Sequence, residues 1–213
     1  MANKVHPLPP SSSSSSSSSF SSSSSSSSSS YVTSKREAFT IWMKSLVMHG
    51  NGCTVFNENG EIVYRIDNYE KKGSKEVYLM DLYRRILFTL RKVHFFGQWE
   101  GYQGDGTNNL NKEKPSFRVT RNGHVTLHYS NNGEAADCYR LEAMGGGKKS
   151  SSEFKIIDST RGGRRVVAEA KRKQSSSGVV LGDDVFTLMV EPHVDHSLIM
   201  ALVTVHGLMH HRL

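Results

Sequence analysis

Apolar side chains recur at every second position over short stretches of this chain. Between Glu61 and Asp67, Ile62, Tyr64 and Ile66 fall on one face and Val63, Arg65 and Asp67 on the other. Between His124 and Tyr129, Val125, Leu127 and Tyr129 stand opposite His124, Thr126 and His128. That period belongs to half-buried antiparallel strands. Similar runs span Thr40–Val47, Cys53–Phe56, Glu76–Met80, Ile86–Leu90, Val93–Glu100, Phe117–Thr120, Asp137–Ala143, Glu153–Asp158, Arg165–Lys171 and Val185–Val190. Asn51-Gly52, Asn59-Gly60, Lys72-Gly73, Asn122-Gly123 and Asn132-Gly133 read as the tight turns between them, because glycine accepts the positive φ that such turns need. The Gly-rich stretches Gly101–Leu110 and Met144–Ser152 read as surface loops.

Twelve strands are too many for a flat open sheet, so the sheet is expected to close on itself or to split into two layers. The last segment departs from period two. Asp195–Val205 offers Asp195 or Ser197 as an N-cap, followed by Leu198, Met200, Ala201 and Leu202, and as a helix it is apolar on every side. Such a helix has to be surrounded. A closed barrel wrapped around its own C-terminal helix meets both requirements. The alternative is a thirteenth buried strand, favoured by the β-branched Val203, Thr204 and Val205.

Composition sets the limits. Nineteen of the twenty positions from Ser11 to Ser30 are serine, which cannot bury enough surface to offset ordering. Residues 1–30 therefore read as a disordered tail and 31–213 as one domain. The longest apolar stretch, Leu198–Val205, is far below the ~20 residues of a membrane-spanning helix. Met1–Pro10 has no secretory apolar segment. Cys53 and Cys138 are too few for a disulfide framework or a zinc site and read as buried thiols. The expectation is an intracellular, cytoplasmic and monomeric protein, with a peripheral plasma-membrane or nuclear location as alternatives.

Catalytic and metal signatures are weak. His193, His196, His206, His210 and His211 crowd the last segment, yet no metalloprotease pattern joins them, and they read as terminal, exposed residues. Gly101, Gly104 and Gly106, like Gly145-Gly146-Gly147-Lys148-Lys149, fail the order required of phosphate loops. Asp183-Asp184 reads as a turn rather than a carboxylate pair. No nucleophile motif is present. The expectation is a non-enzyme without cofactor or metal. Charge is more informative. Of the net +7, Arg140–Lys173 supplies +6, with ten basic residues against four acidic ones. Arg161, Arg164 and Arg165 at a turn are candidates for gripping phosphate bidentately, with Lys171, Arg172 and Lys173 adding unspecific attraction to an anionic lipid surface. The bland reading is a solvated set of strand edges and loops. A nuclear role with Lys171-Arg172-Lys173 as a localisation signal is the second reading, and nucleic acid is disfavoured because no base-stacking aromatics accompany the cations.

The combination of Trp42-Met43-Lys44-Ser45-Leu46, Gly52–Phe56, Gly60–Tyr69 with its Tyr64-Arg65-Ile66-Asp67-Asn68-Tyr69, Leu79–Asp81, Gly182–Phe186 and Val190–Asp195 resembles the plant LURP-one-related family. The resemblance covers Thr33–Leu208. It implies a tubby-C-like fold, twelve antiparallel strands closed around a central hydrophobic helix, shared with tubby proteins and phospholipid scramblases. It also implies a non-enzymatic regulator or adaptor in plant defence, with lipid binding suggested by those relatives and unknown protein partners. A protein-interaction module without lipid binding is the third reading. The chain lacks the cysteine-rich acylation stretch and longer C-terminal span of scramblases, which argues against scrambling.

Overall fold

The computed structural model describes residues 31–43, 51–68, 76–93, 97–105, 114–128, 135–144, 153–160 and 163–210. Within them the chain forms β1 (Glu37–Trp42), β2 (Asn51–Phe56), β3 (Ile62–Asn68), β4 (Glu76–Asp81), β5 (Ile86–Val93), β6 (Gln98–Gln103), β7 (Phe117–Val119), β8 (His124–His128), β9 (Ala135–Ala143), β10 (Phe154–Asp158), β11 (Arg165–Arg172), β12 (Val185–Val190) and α1 (His196–Met209). Each strand pairs antiparallel with the next, and β1 closes the ring on β12, with Glu37 opposite Val190 and Trp42 opposite Val185. The sheet is a closed barrel, which leaves no free edge and excludes the two-layer split.

Alternation sends one face of every strand inward. Val77 and Leu79 of β4 and Phe186, Leu188 and Val190 of β12 are all buried. They meet α1, whose residues from Ile199 to Gly207 are buried without a break. Asp195 starts the helix: its Oδ1 accepts the backbone N–H groups of Ser197 at 2.9 Å and Leu198 at 3.3 Å, satisfying donors that every helix start leaves open. Thr204 donates its hydroxyl to the Met200 carbonyl, so its polar atom is partnered inside the core. The 14 residues of α1 make a rod of ~21 Å, a length the surrounding strands enclose. Leu198–Val205 is helical, so the thirteenth-strand alternative is overturned, and the helix runs on through Gly207 to Met209.

Several boundaries and turns differ from expectation. β1 starts three residues earlier than Thr40, and residues 44–50 lie outside the described set. β6 takes in Gly101, Tyr102 and Gln103, which the sequence assigned to a loop. Gly101 sits opposite Phe117, and a Cβ there would lie 2.2 Å from the ring. Asn51-Gly52 is not a turn but the start of β2, where a Cβ on Gly52 would strike the Ile66 carbonyl oxygen. Gly60 and Gly123 do hold turn conformations, each with φ of 79°. In β11 the register slips opposite Ile156 and Ile157, so Val167, Ala168 and Ala170 are buried while Val166 faces out. A similar slip between Val55 and Phe56 leaves Ile62 exposed while Tyr64 and Ile66 point inward. The Ser11–Ser30 tract, Lys72-Gly73, Asn132-Gly133 and the Gly145–Lys149 stretch lie outside the described residues.

Candidate functional site

The pairing fixes two rims. The ends of the even-numbered strands and the starts of the odd-numbered ones lie where α1 begins, here the upper rim. The ends of the odd-numbered strands and the starts of the even-numbered ones, with the β11–β12 hairpin, lie where α1 ends, the lower rim. This arrangement divides the six basic candidates. Arg164 and Arg165 belong to the upper rim, whereas Lys171, Arg172 and Lys173 belong to the lower. Arg161 lies outside the described residues. Seven steps along β11 separate Arg165 from Arg172, about 23 Å at ~3.3 Å per residue, so the set forms a strip along one wall rather than a pocket for one headgroup.

Along that strip the cations are held loosely. Arg164 Nη2 lies 2.6 Å from Glu142 Oε1, a carboxylate that Arg140 and Lys155 also approach, at 3.4 and 3.8 Å. Lys171 pairs with Glu169 at 3.0 Å and Arg172 with Asp183 at 2.8 Å. Lys173 donates to the Thr40 hydroxyl at 2.7 Å. Over the described residues 135–144, 153–160 and 163–173, seven cations (Arg140, Lys155, Arg164, Arg165, Lys171, Arg172 and Lys173) stand against five carboxylates (Asp137, Glu142, Glu153, Asp158 and Glu169). Solvent-exposed pairs of this kind contribute little to stability and are easily exchanged for another anion.

The upper rim also holds a cleft of about 300 Å³ lined by Tyr31, Phe39, Tyr64, Asp81, Arg85 and His196, among others. The Tyr64 hydroxyl and His196 Nδ1 share a hydrogen bond at 2.5 Å, tying β3 to the first turn of α1. Asp81 Oδ1 accepts the backbone N–H groups of Tyr83 and Arg85, while Oδ2 accepts Arg85 Nε at 2.6 Å and the Tyr31 hydroxyl at 3.4 Å. Partial burial works to raise the Asp81 carboxyl, but the hydrogen bonds and charge of Arg85, with the Tyr83 N–H, outweigh it and leave the group below its ordinary value. Burial pushes the Tyr64 phenol up and the His196 imidazole down, so both are neutral near pH 7. The segment before β1 completes the rim: Val32 bridges to Asp195, and His193 donates its N–H to the Thr33 carbonyl.

Other expectations resolve one by one. Cys53 and Cys138 are buried free thiols. Asp183 and Asp184 form a turn, with Asp184 accepting the Trp42 indole N–H. The histidines are not uniformly terminal and exposed. His206 is buried and stacks on Phe154 with ring centres 3.7 Å apart, because the helix carries it inside the barrel, and His196 is half-buried against Tyr64. Among the described residues no group of three or more His, Cys, Asp or Glu converges as metal ligands, and no helix is long and apolar enough to cross a membrane.

A family model described as LURP-one-related matches residues 37–207, from the first residue of β1 to the last buried residue of α1. The chain belongs to the LURP-one-related family. Among its Arabidopsis thaliana relatives, LURP-one-related 11 is 44% identical over 189 residues, covering 84% of this chain and 80% of that one. LURP-one-related 3 is 44% identical over 191 residues, covering 84% and 82%, and LURP-one-related 5 is 32% identical over 186, covering 82% and 84%. An X-ray structure of an Arabidopsis thaliana protein superposes with a TM-score of 0.58 at 18% identity, covering 84% of this chain and 94% of that one, which supports the fold. For this LURP-one-related chain, sequence reasoning missed the Tyr31–Tyr64–Asp81–His196 cleft. One signal pointed to part of it: an N-cap at Asp195 puts His196 at the first helical position.

Proposed function

We propose that this LURP-one-related protein is a non-enzymatic regulator in plant defence signalling that associates weakly with anionic phospholipid surfaces through the β9–β11 wall. The observation that supports this reading is the excess of cations along β9–β11 and its flanking described residues, seven against five carboxylates, with the Arg164 side chain 64% and the Lys171 side chain 52% exposed. A planar membrane can meet a strip of ~23 Å where a single headgroup cannot, and each cation near an anionic surface contributes about 1 kcal/mol. The weak, exposed ion pairs along the strip leave arginine and lysine free to exchange carboxylate for phosphate. Co-sedimentation with phosphatidylserine-containing vesicles tests it. Reversal of Arg161, Arg164 and Arg165 to glutamate, and separately of Lys171, Arg172 and Lys173, is expected to lower binding at least ~10-fold in each case, more at low salt. Binding unchanged by both sets, or equal affinity for duplex DNA, would overturn the reading.

A further inference from the structure

The β11–β12 hairpin extends past the lower rim as an ordered arm. Gln174 bridges to Val180, Leu181 donates its N–H to the Lys173 carbonyl, and Ser175 N–H bonds the Val179 carbonyl. The turn is closed by Gly178 donating to the Ser175 carbonyl, with Gly178 at φ of 81° and the Ser175 hydroxyl accepting the Val179 N–H. On this arm three consecutive large apolar residues face water: Val179 is 62% exposed, Val180 42% and Leu181 53%. They bury nothing in the barrel, and no turn chemistry requires them, since serines and a glycine already make the turn. Consecutive exposed residues of this kind carry a cost in water unless something covers them.

Resting on the membrane reading above, we propose that Val179–Val180–Leu181 is an insertion tip that enters the interfacial layer of an anionic bilayer, with Lys171 and Lys173 at headgroup level. Charge selects this occupant. The strand that feeds the arm carries Lys171, Arg172 and Lys173 in succession. Of the acidic groups nearby, Glu169 and Asp183 are engaged by Lys171 and Arg172, Asp184 accepts the Trp42 N–H and Glu153 accepts the Arg172 backbone N–H. An apolar point backed by cations matches the order of acyl chain and phosphate met on entering a membrane. A second copy of the chain fits less well, since three residues fall far short of the ~800 Å² per partner that a stable dimer buries.

The tip can be labelled selectively, because the native thiols are only 4% (Cys53) and 1% (Cys138) exposed. An environment-sensitive fluorophore on Val180→Cys of the full chain is expected to shift to the blue and brighten on adding phosphatidylcholine vesicles containing phosphatidylserine. The same fluorophore on Tyr83→Cys, at the opposite rim and 72% exposed in the native side chain, is expected to stay unchanged. Val179→Ser/Val180→Ser/Leu181→Ser is expected to lose roughly tenfold or more in vesicle affinity while keeping the native thermal midpoint. Vesicle binding with an unshifted Val180→Cys probe, or with the serine variant binding like the parent, overturns the insertion tip while leaving the membrane reading in place. No vesicle binding by the parent overturns both. A blue shift that appears without vesicles as protein concentration rises overturns the proposal in favour of self-association.

Discussion

Leu202→Ala tests the enclosed helix most directly. Leu202 is fully buried at the middle of α1, and the residues around it are held by a ring of twelve hydrogen-bonded strands with no edge to give way. Removing three carbons forfeits ~2.4 kcal/mol of transfer free energy at ~0.8 kcal/mol each. A cavity of ~75 Å³ that cannot collapse adds ~1.8 kcal/mol at ~24 cal/mol per Å³. The expected loss is about 4 kcal/mol, a large share of the 5–15 kcal/mol typical of a folded domain. Urea unfolding should show the midpoint falling at constant slope, and thermal unfolding a drop of ~8–16 °C. Leu181→Ala, at a position 53% exposed, is the matched control and should move stability by less than ~0.5 kcal/mol. A Leu202→Ala loss below ~1.5 kcal/mol, or one equal to that control, would refute the rigid enclosure.

Two further outcomes follow from contacts at particular residues. Burial lowers the His196 imidazole relative to the unfolded chain, against the opposing charges of Asp195 and Glu37 and with Tyr31, Phe39 and Tyr64 packed on the ring. The unfolded state therefore binds the proton first, and stability should fall as pH drops below about 6.5. His196→Gln should flatten that part of the profile, and parallel curves for the two proteins would show that His196 does not titrate this way. Gly101→Ala should cost ~1–3 kcal/mol by overpacking the Phe117 ring, and pairing it with Phe117→Leu should recover part of the loss in a double-mutant cycle, whereas strict additivity would argue against the contact.

The strands were readable because their period is local. Tyr64 and Ile66, or Val77 and Leu79, declare an inward face from their own neighbours, and the all-round apolar α1 declares that it must be enclosed. What was hidden depended on partners far away in the chain. Gly52 and Gly101 read as turn or loop residues, yet each serves a close approach to a neighbouring strand, at Ile66 and Phe117. The bulge that turns Val166 outward lies in β11, where Val167 is the extra residue, and shows only in the pairing with β10. The upper-rim cleft unites Tyr31, Tyr64, Asp81 and His196 from four separate stretches, and nothing in the spacing of those residues announces their meeting. The basic candidates illustrate the opposite limit: they are neighbours in sequence, and a single extended strand carries them to opposite rims.

The ring joint between β1 and β12 has a consequence for biosynthesis. The strand that completes the barrel and the helix that fills it are both translated after the other eleven strands, so the earlier strands leave the ribosome as an open sheet whose oily inner face has no plug. Contacts this distant along the polypeptide make for slow folding, and the waiting sheet offers both flanks to other nascent chains. Chaperone holding during synthesis should therefore matter more to yield in the cell than the stability of the finished molecule, and a stop codon anywhere before α1 should produce insoluble protein rather than a smaller domain.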